Sequence, residues 1–206
     1  NISFSGVNGI NDEVLRREVR QLEGGWLSNV AVERSKQRIQ RLPYVKKVEM
    51  ETTPVPGSPD LVDVEFKVEE GPAAQLGGGI GYSETQSFVL NGTYADSNFL
   101  GTGQRYAVQF NTGSYSKIYS ISHTQPYLTM DGVSATSNLP YQDIKRLTST
   151  YSEFSTKTFI LGEDIGIPIG ERQTAHVGFS IQHAELATVT SSSTQLQGWV
   201  RDNGDS

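Results

Sequence analysis

Residues 73–94, AAQLGGGIGYSETQSFVLNGTY, divide this chain into two kinds of sequence. Residues 1–70 carry 22 charged side chains, whereas residues 71–206, almost twice the length, carry 18. Glycine runs the other way, with 5 before the boundary and 16 after it. Within the stretch, Phe88, Leu90 and Tyr94 alternate with Val89, Asn91 and Thr93, which is the period of a strand. From Gly77 onward no helical period persists, so two environments are implied.

Downstream, the alternation repeats. Tyr106, Val108 and Phe110 oppose Ala107, Gln109 and Asn111, and Tyr119, Ile121 and His123 oppose Ser120, Ser122 and Thr124. Val177, Phe179 and Ile181 oppose Gly178, Ser180 and Gln182. Glycine-containing turns such as NFLGTGQ separate the segments, and about seven strands can be counted. A soluble β-sandwich would also alternate. A membrane barrel suits the small polar set of Ser, Thr, Asn, Gln and Gly, which fits a wet lumen. It also suits the tyrosines and phenylalanines near strand ends, which fit an interfacial girdle. Low hydropathy does not oppose this, because a barrel strand needs only every second residue apolar. Two residues fit poorly. Pro140 should end or bulge its strand, having no N–H for the ladder. Glu163 shares the apolar phase of Phe159, Leu161 and Ile165, and is expected close to the Pro168 turn. Bacterial outer-membrane barrels close with even strand numbers, so seven strands imply an incomplete barrel.

Upstream, NISFS alternates like a short strand and Asn11 can cap a helix with Asp12 and Glu13 in its first turn. Val14, Leu15, Val19 and Leu22 recur at helical spacing until Gly24–Gly25. A second helix is expected from about Val30 to Leu42, ended by Pro43. Val48 and Met50, then Val62, Val64, Phe66 and Val68, read as two strands with one buried face. The fold expected is an α+β domain of order β-α-α-β-β over residues 1–71, followed over 72–206 by antiparallel transmembrane β-barrel strands.

The totals narrow the function. Net charge is −6, without the basic surface of a nucleic-acid binder. Cysteine is absent, which removes thiolate chemistry and disulfides. No apolar run reaches the length of a membrane-spanning helix. The chain opens on Asn1 and reads as a mature or excised segment. GGGIG resembles a phosphate cradle, but no helix follows and Tyr82 occupies the place of the last glycine. Ser114 and Lys117 match a serine-x-x-lysine pattern without its companion motifs. His123, His176 and His183 lie on expected strands, without an acidic or histidine partner at helical ligand spacing. Asn91 opens a glycosylation sequon in form only, because it lies in a strand. No residue set supports catalysis, and no metal or cofactor is implied.

The segments LRREVRQLEGGWL, RIQRLPYVKKVEMET, VPGSPDLVDVEFKVEEGP, GGGIGYSET, DSNFLGTG, TQPYLTMDGVS and GIPIGE, in this order, resemble the BamA family of outer-membrane assembly factors of Gram-negative bacteria. The resemblance implies a membrane-proximal POTRA domain in the periplasm, followed by the first part of a barrel in the outer membrane. It implies a function, folding and inserting β-barrel proteins without ATP. It implies as partners unfolded outer-membrane clients, outer-membrane lipid, and the lipoprotein BamD with other lipoproteins of the assembly complex. The client-pairing edge would be the first barrel strand, Gly77, Gly78, Gly79, Ile80, Gly81, Tyr82 and Ser83. Arg16 and Glu23, on and at the end of the first helix, match positions that contact the lipoprotein. The tail SSSTQLQGWVRDNGDS looks like part of an extracellular loop. Glycine orders at high entropic cost and packs poorly, so such a strand would zip weakly and leave its backbone groups to a client strand. An alternative is a POTRA-containing secretion pore for one dedicated client, and another is a soluble β-sandwich adhesin.

Overall fold

The structure is a computed structural model that describes residues 1–58, 60–84, 87–148, 152–170, 173–188 and 194–203. The chain forms two compact units, Asn1–Ala74 with Asp96–Arg105, and Gln75–Ala95 with Tyr106–Ser206.

The first unit has the expected β-α-α-β-β order: β1 (Ile2–Ser5), α1 (Asp12–Arg16), α2 (Asn29–Gln40), β2 (Val45–Pro54) and β3 (Val62–Glu70). Its sheet runs β1-β3-β2, with β1 parallel to β3 and β2 antiparallel to it. Period-two alternation puts Val64, Phe66 and Val68 on one face of β3, and all three are buried. Against that face pack Leu15 of α1 and Val32 and Ile39 of α2, while Phe4 stacks on Phe66 at 5.8 Å. Ser28 caps α2 by accepting the Ala31 N–H at 3.3 Å. Met50, expected to follow Val48 inward, is more than one-third exposed.

The first helix is shorter than its periodicity suggests. It ends at Arg16, and the turn after it tightens, with the Glu18 and Val19 N–H groups reaching the carbonyls of Leu15 and Arg16. The cause is long-range. Glu18 is buried and pairs with Arg38 of α2 at 2.9 Å, and the Arg20 N–H donates to Ser35 Oγ at 2.8 Å. Continuing the helix would give up both partners. Leu22 is consequently 80% exposed rather than part of the core.

The second unit is an antiparallel meander. Its strands are β4 (Ala74–Ser83), β5 (Ser87–Phe99), β6 (Gln104–Thr112), β7 (Ser116–Gln125), β8 (Ser134–Thr148), β9 (Ser152–Gly170) and β10 (Gln173–Thr188). They pair in sequence order in one seven-stranded sheet that is not closed, with β4 and β10 at its ends. The expected strand count and incomplete barrel are what the structure shows. Among the described residues, every buried hydrophobic side chain lies between Ile2 and Val68. The seven-stranded sheet therefore has no water-excluding core of its own. One of its faces instead displays Phe88, Val108, Ile121, Leu161, Phe179 and Ile181, all more than one-third exposed. An apolar surface of that extent belongs against lipid rather than water.

Several local expectations change. Pro140 does not end β8. The register to β7 runs straight through Ser120↔Pro140, while pairing to β9 passes from Asn138↔Gly162 to Tyr141↔Phe159 without shifting. The missing N–H thus interrupts one ladder and leaves the strand intact. Glu163 lies inside β9 rather than at the Pro168 turn, opposite Ser137 and Phe179, and Ser137 Oγ donates to its carboxylate at 2.7 Å. His176 does have an acidic partner, Asp164 at 2.7 Å on the neighbouring strand, which helical spacing could not reveal. His183 lies 3.4 Å from Glu185, and His123 stacks on Tyr106. The tail contains a helix, α3 (Thr194–Asn203), where loop was expected. Its Leu196, Trp199 and Val200 have helical spacing that the sequence already carried.

Candidate functional site

The glycine-rich stretch forms β4, the terminal strand of its sheet, with β5 as its one neighbour there. Ala74 to Tyr82 are all exposed and Ser83 is half-buried, so Gly77, Gly78, Gly79, Ile80, Gly81, Tyr82 and Ser83 form one continuous strand edge. Strand alternation places Leu76, Gly78, Ile80 and Tyr82 on the apolar side and Gly77, Gly79 and Gly81 on the polar side.

The glycines do more than loosen the strand. A Cβ on Gly77 would lie 3.0 Å from Thr93 Oγ1, and one on Gly79 would lie 3.1 Å from Asn91 Oδ1. Side chains from β5 thus lean into the space the glycines leave. At Gly81 nothing among the described residues lies within 4 Å, so there the missing side chain reflects freedom rather than crowding. On the apolar side, Gly78 and Gly92 leave a shallow depression of about 420 Å³, bordered by Leu76, Tyr94, Val108 and Phe110. Phe110 of β6 leans over Gly92, where a Cβ would lie 2.5 Å from its Cζ and closer still to Cε1. At the far end of β4, Tyr82 meets Phe88 edge-to-face at 5.4 Å. The strand is fastened by an aromatic pair at its tip and thinned by glycine in its middle.

The turn between β5 and β6, absent from the sequence reading as a site, belongs to the first compact unit. Asn98, 7% exposed, donates from Nδ2 to the Gly9 carbonyl at 2.9 Å and accepts the Gly103 N–H on Oδ1 at 2.8 Å. The Asn11 N–H donates to the Gly101 carbonyl at 3.0 Å, and the Ser97 N–H to the Ala73 carbonyl at 3.0 Å. Gly101 and Gly103 have φ of 77° and 72°, the left-handed region that glycine enters without strain. A Cβ on Gly103 would also run into the Arg17 guanidinium and lie 3.1 Å from Tyr44 Oη. The paired glycines of DSNFLGTG were the available signal, but Gly9 lies 89 residues away and nothing in the sequence names it as partner.

Arg16 and Glu23 come together. Arg16 Nε and Nη2 hold both Asp12 oxygens, at 2.7 and 3.2 Å, and Nη1 reaches Glu23 at 3.4 Å. Glu23 accepts the Ile2 N–H at 3.1 Å, and the guanidinium lies 5.5 Å from the Phe4 ring centre. Hydrogen bonding to Asp12, opposed by slight desolvation and reinforced by the charges of Asp12 and Glu23, raises the Arg16 pKa above its ordinary value. Leu22 and Trp26, within three residues of Glu23 in the chain, are 80% and 98% exposed.

Comparison with known proteins gives a consistent outcome. Residues 98–205 match the Omp85 superfamily domain, and residues 1–71 match the surface antigen variable number repeat, the POTRA family. The outer membrane protein assembly factor BamA of Neisseria meningitidis serogroup B is 26% identical over 98% of this chain and 26% of its own length. BamA of Nitratidesulfovibrio vulgaris is 29% identical over 95% of this chain and 24% of its own. The chain therefore spans about a quarter of the length of these curated relatives. The crystal structure of Haemophilus ducreyi BamA lacking POTRA domains 1–3 superposes with a TM-score of 0.76 at 31% identity, covering 97% of this chain and 38% of that one. CdiB from Escherichia coli shares the fold, with a TM-score of 0.56 at 17% identity over 90% of this chain and 36% of that one.

Proposed function

We propose, from the premise that this chain belongs to the Omp85 superfamily, that it is part of an assembly factor that folds and inserts β-barrel proteins into the outer membrane. In this reading residues 1–71 form a membrane-proximal POTRA domain in the periplasm, and residues 72–206 form the first part of the membrane barrel. The observation that carries it is β4: an exposed, glycine-thinned strand at the end of a sheet whose apolar face suits lipid. An unpaired edge in lipid leaves backbone N–H and C=O groups unsatisfied, which costs several kcal/mol per group, roughly. A client strand that adds to this edge removes that cost, so pairing is favoured without ATP. The work is strand addition rather than bond chemistry, and no cofactor takes part.

Arg16 and Glu23 serve as the contact for BamD or another lipoprotein of the assembly complex. What supports this is the half-exposed cluster they form, flanked within three residues of Glu23 by the exposed Leu22 and Trp26, because tryptophan is enriched at interface hot spots.

The test is a disulfide-crosslink scan in the full-length protein. Single cysteines replace Gly78 to Ser83 and are paired with cysteines in the last strand of a stalled barrel client. These 206 residues hold no native cysteine, and any cysteine elsewhere in the full-length protein is first replaced by serine. Crosslinks with a two-residue rhythm support strand addition at β4. A client bound elsewhere, with no crosslink to β4, moves the reading to a secretion pore.

A further inference from the structure

The turn after β5 is built as part of the first compact unit, and the Asn98 side chain bonds it to Gly9 there. Asn98 meets an acceptor, the Gly9 carbonyl, at its Nδ2 and a donor, the Gly103 N–H, at its Oδ1. Those two partners fix which end of the amide is which. No other side chain of this size offers both a donor and an acceptor at that separation. Gly9 is itself held, because Glu70 accepts the N–H groups of Asn8 and Gly9 at 2.9 Å each. The docked turn carries the Ser97–Ala73 hydrogen bond that lies immediately ahead of β4. Ala73, the residue just ahead of β4, is thus bonded to the docked turn within the same unit.

We propose that Asn98 is a positioning residue for client pairing, which acts through the β5–β6 turn to hold the base of β4 in register while the glycines above it bend. This rests on the reading of β4 as the client edge. A strand loose along its whole length slips by one residue at little cost, and each slip exchanges its apolar and polar faces. A strand pinned at its base and loose in the middle opens to a partner without losing its phase.

Asn98→Asp separates the two bonds. It keeps the acceptor for Gly103 and replaces the donor to Gly9 with a carboxylate oxygen facing a carbonyl. Asn11→Pro is a second, independent variant. Asn11 has φ −67°, which proline adopts, and the substitution removes the N–H donated to Gly101 together with a side chain that makes no capping hydrogen bond. Both are made in the full-length protein in lipid bilayers. Three readouts are taken: amide exchange at Ser97, the rate of client folding, and the crosslink pattern from Gly78 to Ser83. In both variants Ser97 exchange is expected to quicken roughly tenfold, the loss of about one hydrogen bond. Client folding slows, and crosslinks spread to neighbouring positions in place of a two-residue rhythm, which a general loss of stability would not produce. Unchanged Ser97 exchange overturns the docking. Faster exchange with wild-type folding rate and crosslink rhythm overturns the positioning role. A wild-type protein that folds no client overturns the functional reading itself, and the exchange data then still show whether Asn98 docks the turn.

Discussion

Gly92 and Phe110 offer a sharp test of how the sheet behind β4 is built. A methyl group added at Gly92 would lie 2.5 Å from Phe110 Cζ, against an ordinary carbon–carbon contact of about 3.5–4.0 Å. The ring must move by roughly 1 Å or more, off its rotamer or away from β5, and overpacking of this kind costs about 1–3 kcal/mol. Removing a glycine from a strand offsets about 0.5–1 kcal/mol of that through backbone entropy. Gly92→Ala should therefore destabilise by roughly 0.5–2 kcal/mol. Phe110→Ala alone loses the ring's contacts over Gly92. In the double variant the clash is gone, so the two changes together cost less than their sum, with a coupling of about 0.5 kcal/mol or more. The assay is urea unfolding of the protein in lipid vesicles, followed by tryptophan fluorescence and by the heat-induced shift of gel mobility. Additivity within about 0.3 kcal/mol would refute the reasoning, because it would mean the ring does not occupy the space over Gly92.

Three further outcomes are expected. Trp26→Ala should leave thermal stability unchanged, because the residue is 98% exposed, and should weaken binding of the proposed lipoprotein partner at least fivefold by surface plasmon resonance. Ser137→Ala should destabilise the barrel strands by about 1–3 kcal/mol by stripping Glu163 of its hydroxyl donor, and adding Glu163→Val should restore most of the loss in the same unfolding assay. The Lys47–Glu49 pair, 2.5 Å apart, holds the Glu49 carboxyl below its ordinary value, chiefly through the Lys47 hydrogen bond. A carboxylate depressed in the folded state stabilises at pH above its ordinary range, and the contribution is lost as pH falls through the folded value. Both groups are at the surface, so the effect is small; thermal melts from neutral to acid pH should show it, and Glu49→Gln or molar salt should remove it.

The elements closest to short-range chemistry were legible from the sequence. Alternation in β3 put Val64, Phe66 and Val68 on one face because the strand period is two, and all three are buried together. The same period, with Ser, Thr, Asn, Gln and Gly opposite the hydrophobics, separated a lipid-facing sheet from a charged domain before any pairing was known. β4 was visible for the same reason, as glycine both thins a strand and marks it. α3 was missed, although Leu196, Trp199 and Val200 stand at helical spacing, because the serine-rich run ahead of them reads as loop.

What tertiary structure decided are the places where a distant partner outweighs a local pattern. Helical periodicity runs past Arg16, but Glu18 pairs with Arg38 and the Arg20 N–H with Ser35, and those bonds end the helix. Pro140 would end an isolated strand, yet β8 continues because its other ladder, to β7, is intact. Glu163 is tolerated on an apolar face because Ser137 stands opposite it on the next strand. Asn98 reads as an ordinary turn residue until Gly9, 89 positions earlier, is brought to its amide. Sequence by itself determined the period and composition of each element, because these depend on neighbours within a few residues. The fold alone determined which buried polar group finds which partner, because an unpaired one costs more than any local propensity returns.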